Sequence, residues 1–211
     1  GSDGDGEPRR ADAVAVDVRE PIRRGDYIRD TFLANRDGPF SVWRDAEATD
    51  AYVIFVDTSL GDPKADFSVA QFGSHRAGEQ VASYRARIDP KQLGYVLNDL
   101  GRWYNKALIA IEANPGGGGN VVIDTLLELK YPNLMRRPIA PSDGGSTSFV
   151  TFHDDKYGFW TGGSKTSEGG SKGWLIATFR QALFPRPDGR ASIILHDPVT
   201  LAELRVFQRD A

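Results

Sequence analysis

Two short apolar runs constrain this chain most: Tyr52-Val-Ile-Phe-Val56, which ends on Asp57, and Leu108-Ile-Ala-Ile111, which ends on Glu112. Their β-branched and aromatic content, without polar alternation, is that of strands buried on both faces, and such strands lie inside a sheet covered by helices. Between them, Phe67 to Phe72 and Gln80 to Ile88 read as strands joined by a hairpin from Gly73 to Gly78. Asp89-Pro90 then supplies a helix cap and a first-turn proline, and Leu93, Leu97, Leu100 and Tyr104 follow at helical spacing.

A strand, two antiparallel neighbours, a helix and another buried strand predict an α/β fold with a mixed central sheet flanked by helices. The helix crosses over and returns the second apolar run parallel to the first. Their carboxyl ends then coincide, at the edge where open α/β sheets place their sites. Neighbouring strands lie roughly 5 Å apart, so Asp57 and Glu112 are expected to share one space. Two close carboxylates repel unless a cation joins them. With Mg²⁺ or Mn²⁺ both stay ionised, and two ions about 4 Å apart can activate water and stabilise the leaving oxygen of a phosphodiester. The pair points to nuclease chemistry. An acid after a strand equally begins a turn, as Asp57-Thr58-Ser59 or Glu112-Ala-Asn-Pro115 would. Asp66, at the start of the next strand, is a third candidate, supporting a metal-bound water or merely solvated.

Composition narrows the choice of ligands. The chain has no cysteine, which removes disulfides, thiol catalysis and cysteine-based zinc or iron-sulfur sites. His75, His153 and His196 are too dispersed for an HExxH-like zinc motif, so carboxylates are the expected metal ligands. With 26 basic and 29 acidic residues the net charge is −3, which argues against a generally sticky nucleic-acid binder. Locally the balance reverses: from Lys156 to Arg190 six basic residues face two acids, a balance of +4 in a glycine-rich, aromatic stretch. This suits a loop that clamps DNA, with Lys165, Lys172 and Arg180 as phosphate contacts, or else a solvated face. The run Gly116 to Gly119 lacks the lysine and hydroxyl of a phosphate loop and reads as a close-approach turn.

The remaining chain reads as a helix from Val121 to Leu129, a link or short strand from Lys130 to Pro138, and a mobile hairpin from Ala140 to Gly173. A helix around Trp174 to Phe184, a strand from Ser192 to Leu195, and a helix opened by Asp197-Pro198 follow. The first fifty residues carry 8 arginines and 12 acids. Residues 1–45 are therefore read as a flexible acidic lead-in and 46–211 as the folded domain. No apolar run approaches the ~20 residues of a membrane span, and no leader opens the chain, so neither membrane insertion nor secretion is expected.

Taken in order, Val42-Trp43, Tyr52-Val-Ile-Phe-Val-Asp57-Thr-Ser-Leu-Gly61, Ala65-Asp66-Phe-Ser-Val69, Ile111-Glu112-Ala-Asn114-Pro-Gly116, Tyr157-Gly158-Phe159 with Thr161, and Glu203-Leu204 with Phe207 resemble the C-terminal nuclease domain of tailed-phage large terminase subunits, the DNA-packaging motors. The resemblance implies an RNase H-like fold, related to RuvC resolvases. It implies an endonuclease that cuts concatemeric double-stranded DNA with two divalent ions, in which Asp57 and Glu112 match the first two metal ligands. It further implies an ATPase domain elsewhere in the protein, portal and small terminase subunit as partners, and a place in the host cytoplasm, transiently at the procapsid. No Walker A pattern occurs, so this chain is not expected to hydrolyse ATP. The family's third acidic motif, His-Asp-Asp, is not found after the Glu-Leu…Phe helix. His153-Asp154-Asp155 has those letters but precedes the Tyr-Gly-Phe segment and is read as a turn. Two alternatives stay open: a DNA- or portal-docking module without activity, and another RNase H-like nuclease such as a resolvase or transposase core.

Overall fold

In a computed structural model of the protein, residues 17–28, 31–62, 64, 66–139, 151–161 and 193–207 are described. In chain order they form β1 (Arg23–Ile28), β2 (Thr31–Ala34), β3 (Phe40–Val42), β4 (Tyr52–Asp57), β5 (Ser68–Ser74), β6 (Glu79–Ala86), α1 (Pro90–Trp103), β7 (Leu108–Ile111), α2 (Gly119–Glu128), β8 (Arg136–Ile139), β9 (Thr151–Tyr157) and α3 (Pro198–Phe207). Seven strands make one sheet in the order β2-β1-β3-β6-β5-β4-β7, and β8 and β9 make a two-stranded sheet. The pairing of β4 with β7 is parallel, Val53 opposite Leu108 through Val56 opposite Ile111. All other pairings within that sheet are antiparallel.

Helix α1 starts where Asp89 accepts hydrogen bonds from the N–H groups of Lys91 and Gln92, with Pro90 in the first turn. Its leucines at 93, 97 and 100 are fully buried in one core with Ile54, Val56, Phe72, Ile109 and Ile111 of the sheet and Val122 and Leu126 of α2. Burying each such leucine stabilises the fold by about 2 kcal/mol. On the opposite face of the sheet, Gln71 Nε2 donates to Thr200 Oγ1 at 2.8 Å and Arg85 pairs with Glu203 at 2.8 Å, which docks α3 there. No helix among the described residues is long and apolar enough to cross a membrane.

The folded sheet begins earlier than residue 46. Strands β1, β2 and β3 belong to it rather than to a flexible lead-in, and Phe40 and Val42 are fully buried. Their charges sit beside rings: the Arg23 guanidinium lies 5.4 Å from both the Phe32 and Trp103 rings, and Tyr27 stacks on Trp103 at 5.8 Å. An edge hairpin that packs on aromatics needs few apolar residues. Strand β5 runs through Ser74, leaving a shorter turn than expected, because Ser74 Oγ donates to Asp50 at 2.5 Å and receives the Ala77 N–H at 2.9 Å. His153, Asp154 and Asp155 are not a turn but the middle of β9, paired against β8. The expected strand at 192–195 is, within the described residues, an isolated bridge of Ile194 to Glu79. The expected helix at 174–184 lies outside the described residues.

Candidate active site

Asp57 ends β4, and Glu112 follows β7 directly. The parallel register continues one step beyond the strands, since the Glu112 N–H donates to the Val56 carbonyl at 2.9 Å. The two carboxyl groups are thereby brought within hydrogen-bonding contact. Burial, then the hydrogen bond to Glu112 and its charge, push Asp57 up to about 6 from the usual carboxylate range; the Thr58 N–H opposes this and the charge of Asp66 adds to it. The outer edge of Asp57 nevertheless remains exposed, which is the path by which a cation or substrate would reach it.

Glu112 is held in place by residues from a distant part of the chain. Its Oε1 accepts from Asn114 Nδ2 at 2.7 Å and from the hydroxyl of Thr161. Asn114 Nδ2 also donates to Thr161 Oγ1 at 2.8 Å, and the Thr161 N–H donates back to Asn114 Oδ1 at 3.0 Å. Thr161 reaches this position because residues 158–159 run along the end of β7: Phe159 N–H donates to Ile111 O at 2.9 Å and Ala113 N–H to Phe159 O at 2.8 Å. The approach needs glycine at 158, which has φ +73°, and where a Cβ would stand 2.6 Å from the Ile111 carbonyl. The run at 116–119 serves as a close-approach turn, its Gly118 against Ser59 and Pro90 and its Gly119 against Glu112.

Of the candidates drawn from sequence, Asp57 and Glu112 meet, and Asp66, exposed two residues before β5, acts on Asp57 through its charge. Lys165, Lys172 and Arg180 lie outside the described residues. The clamp of Asn114 and Thr161 on Glu112 has a single local trace in the sequence, an amide two residues after the acid. Among the described residues no three His, Asp or Glu side chains gather as a metal cluster. Two facing carboxylates are nonetheless a donor set suited to one hard divalent cation, which is held by few protein oxygens and keeps its waters.

No protein-family model matches the sequence, and neither does any curated protein. Among solved structures the chain is similar to the large terminase nuclease of thermophilic phage G20c. Against its crystal structure with bound zinc the TM-score is 0.53 at 17% identity, covering 81% of this chain and 78% of that one. The form with bound magnesium gives 0.51 at 15% identity, covering 79% and 69%. The form with bound cobalt gives 0.53 at 16% identity, covering 81% and 71%. At such identities the likeness establishes the fold. This chain thus has the RNase H-like α/β fold of phage large terminase nucleases, with a mixed seven-stranded sheet flanked by helices.

Proposed function

We propose that this chain is the divalent-metal-dependent endonuclease domain of a phage large terminase subunit, cutting concatemeric double-stranded DNA during genome packaging. The observation that carries this reading is the meeting of Asp57 and Glu112 at adjacent parallel strand ends, on a fold otherwise found in terminase nucleases. The neighbours' bound zinc, magnesium and cobalt support a divalent cation here as well. Carboxylate oxygens favour Mg²⁺ or Mn²⁺.

Each chain group then has a definite task. Asp57 and Glu112 would hold the cation through one carboxylate apiece, and Asn114 and Thr161 keep Glu112 turned toward Asp57. Bound there, such a cation supplies Lewis-acid activation of water and charge stabilisation for the departing oxygen. A second ion requires a further ligand, for which Asp66 is the nearest candidate on electrostatic grounds. The ATPase domain, portal and small terminase subunit, and a place in the host cytoplasm and at the procapsid, belong to this reading as the context of the intact motor.

Plasmid nicking in Mn²⁺ tests the assignment. Asp57→Ala should abolish it while leaving the circular dichroism spectrum unchanged; retained Mn²⁺-dependent nicking by the folded variant overturns it. The shortage of a third acid among the described residues favours one other reading, a DNA- or portal-docking module without activity. Calorimetric titration with Mn²⁺ separates the two: binding that is lost in Glu112→Gln supports the nuclease, and no binding supports docking.

A further inference from the structure

Arg137, on β8, keeps only 8% of its surface exposed. Its guanidinium lies 4.4 Å from the centre of the Trp160 ring, and its Nη2 donates to the Tyr157 carbonyl at 3.3 Å. Nothing among the described residues accepts from its Nε, nor from the buried Trp160 Nε1 beside it. Buried guanidinium groups are ordinarily matched to a carboxylate, because a charge withdrawn from water is costly when unmatched. Among the described residues Arg137 forms no such ion pair. What suits a planar, rigidly stacked fork with spare donors is an oxyanion.

The position of this stack gives the anion a meaning. Trp160 immediately precedes Thr161, whose hydroxyl holds Glu112, so the ring that seats the guanidinium is one residue along the chain from the clamp on Glu112. Two carboxylates at a strand end repel a polyanion, and an immobilised positive charge seated on the residue next to Thr161 offsets that repulsion while fixing where the polyanion lies. We propose that Arg137, seated on Trp160, binds a backbone phosphate of duplex DNA next to Asp57 and Glu112. This rests on the nuclease reading above and adds a substrate-positioning residue to it.

The test uses the full chain carrying Asp57→Asn, so that binding is read without cleavage, and a fluorescent duplex of arbitrary sequence titrated at several salt concentrations. Adding Arg137→Gln should weaken binding roughly tenfold at low salt and reduce the slope of log affinity against log salt by about 0.9, the signature of one lost phosphate contact. Arg137→Lys keeps the charge, guards against loss of folding in the glutamine variant, and should retain the slope while binding more weakly. An unchanged slope and affinity in a folded Arg137→Gln protein overturns the inference and leaves the nuclease reading intact. No duplex binding by the parent, together with no cleavage by the wild-type chain, overturns both.

Discussion

The Thr161 N–H donates to Asn114 Oδ1 at 3.0 Å while Asn114 Nδ2 returns a hydrogen bond to Thr161 Oγ1 at 2.8 Å, and both side chains close on the same oxygen of Glu112. A carboxylate so held has one oxygen committed to orientation and the other free for Asp57 or a cation. Removing such supporting donors lowers metal affinity or activity by about 10- to 100-fold in metal sites generally. Thr161→Val should therefore slow Mn²⁺-supported cleavage within that range, and Thr161→Ser should restore most of it. Equal rates for the valine and serine variants would show that the hydroxyl has no part in orienting Glu112.

Acidity at the pair gives a second expectation. The folded-state value of Asp57, about 6, lies above the ordinary 3.8. Folding of the metal-free protein therefore favours the protonated form, so this contribution to stability is complete below about 3.8 and is lost as pH rises through about 6. Asp50 and Glu79, whose values are lowered, work in the opposite sense and lose stability as pH falls. The difference between wild type and Asp57→Asn isolates the first effect. Denaturant midpoints in chelator should show the asparagine variant gaining on wild type between pH 4 and 7. Glu112→Gln should bring the Asp57 titration, followed by carboxyl carbon NMR, back toward the ordinary value.

Backbone geometry at residue 158 makes a third. Alanine there meets both a φ of +73° and the Ile111 carbonyl. Strain of this kind costs on the order of 1–3 kcal/mol. Gly158→Ala should lower the urea midpoint accordingly and also reduce cleavage, since Thr161 depends on this approach. A variant with full stability and full activity would show that the strand end does not need glycine.

The N-terminal strands supply a fourth. Phe40 is fully buried, with ring contacts to Phe72 at 5.7 Å and Trp103 at 5.9 Å. Phe40→Ala should cost about 3–5 kcal/mol. Removing residues 1–45 would strip β6 of its partner β3 and should leave a chain without a cooperative thermal transition. Cooperative melting of the shortened chain would show that the sheet does not depend on these strands.

Much of the sheet's centre could be read from the order of residues alone. The runs before Asp57 and Glu112 are continuous and apolar, and the leucines of α1 repeat at helical spacing, so local pattern specifies element, direction and buried face. From these the parallel crossover and the meeting of the two acids follow. The charged edge of the sheet was hidden because Arg23 and Arg24 stand within strand β1, where rings rather than aliphatic neighbours supply the packing. The support of Glu112 was hidden for a different reason. Asn114 and Thr161 are ordinary polar residues 47 positions apart, and a hydrogen bond between them leaves no periodic trace in the chain. Likewise, nothing local marks Arg137 as buried. Those relations exist only once β7 brings the segment at 158–161 alongside, because a polar contact is decided by which distant backbones come together and short-range pattern records only what neighbours do.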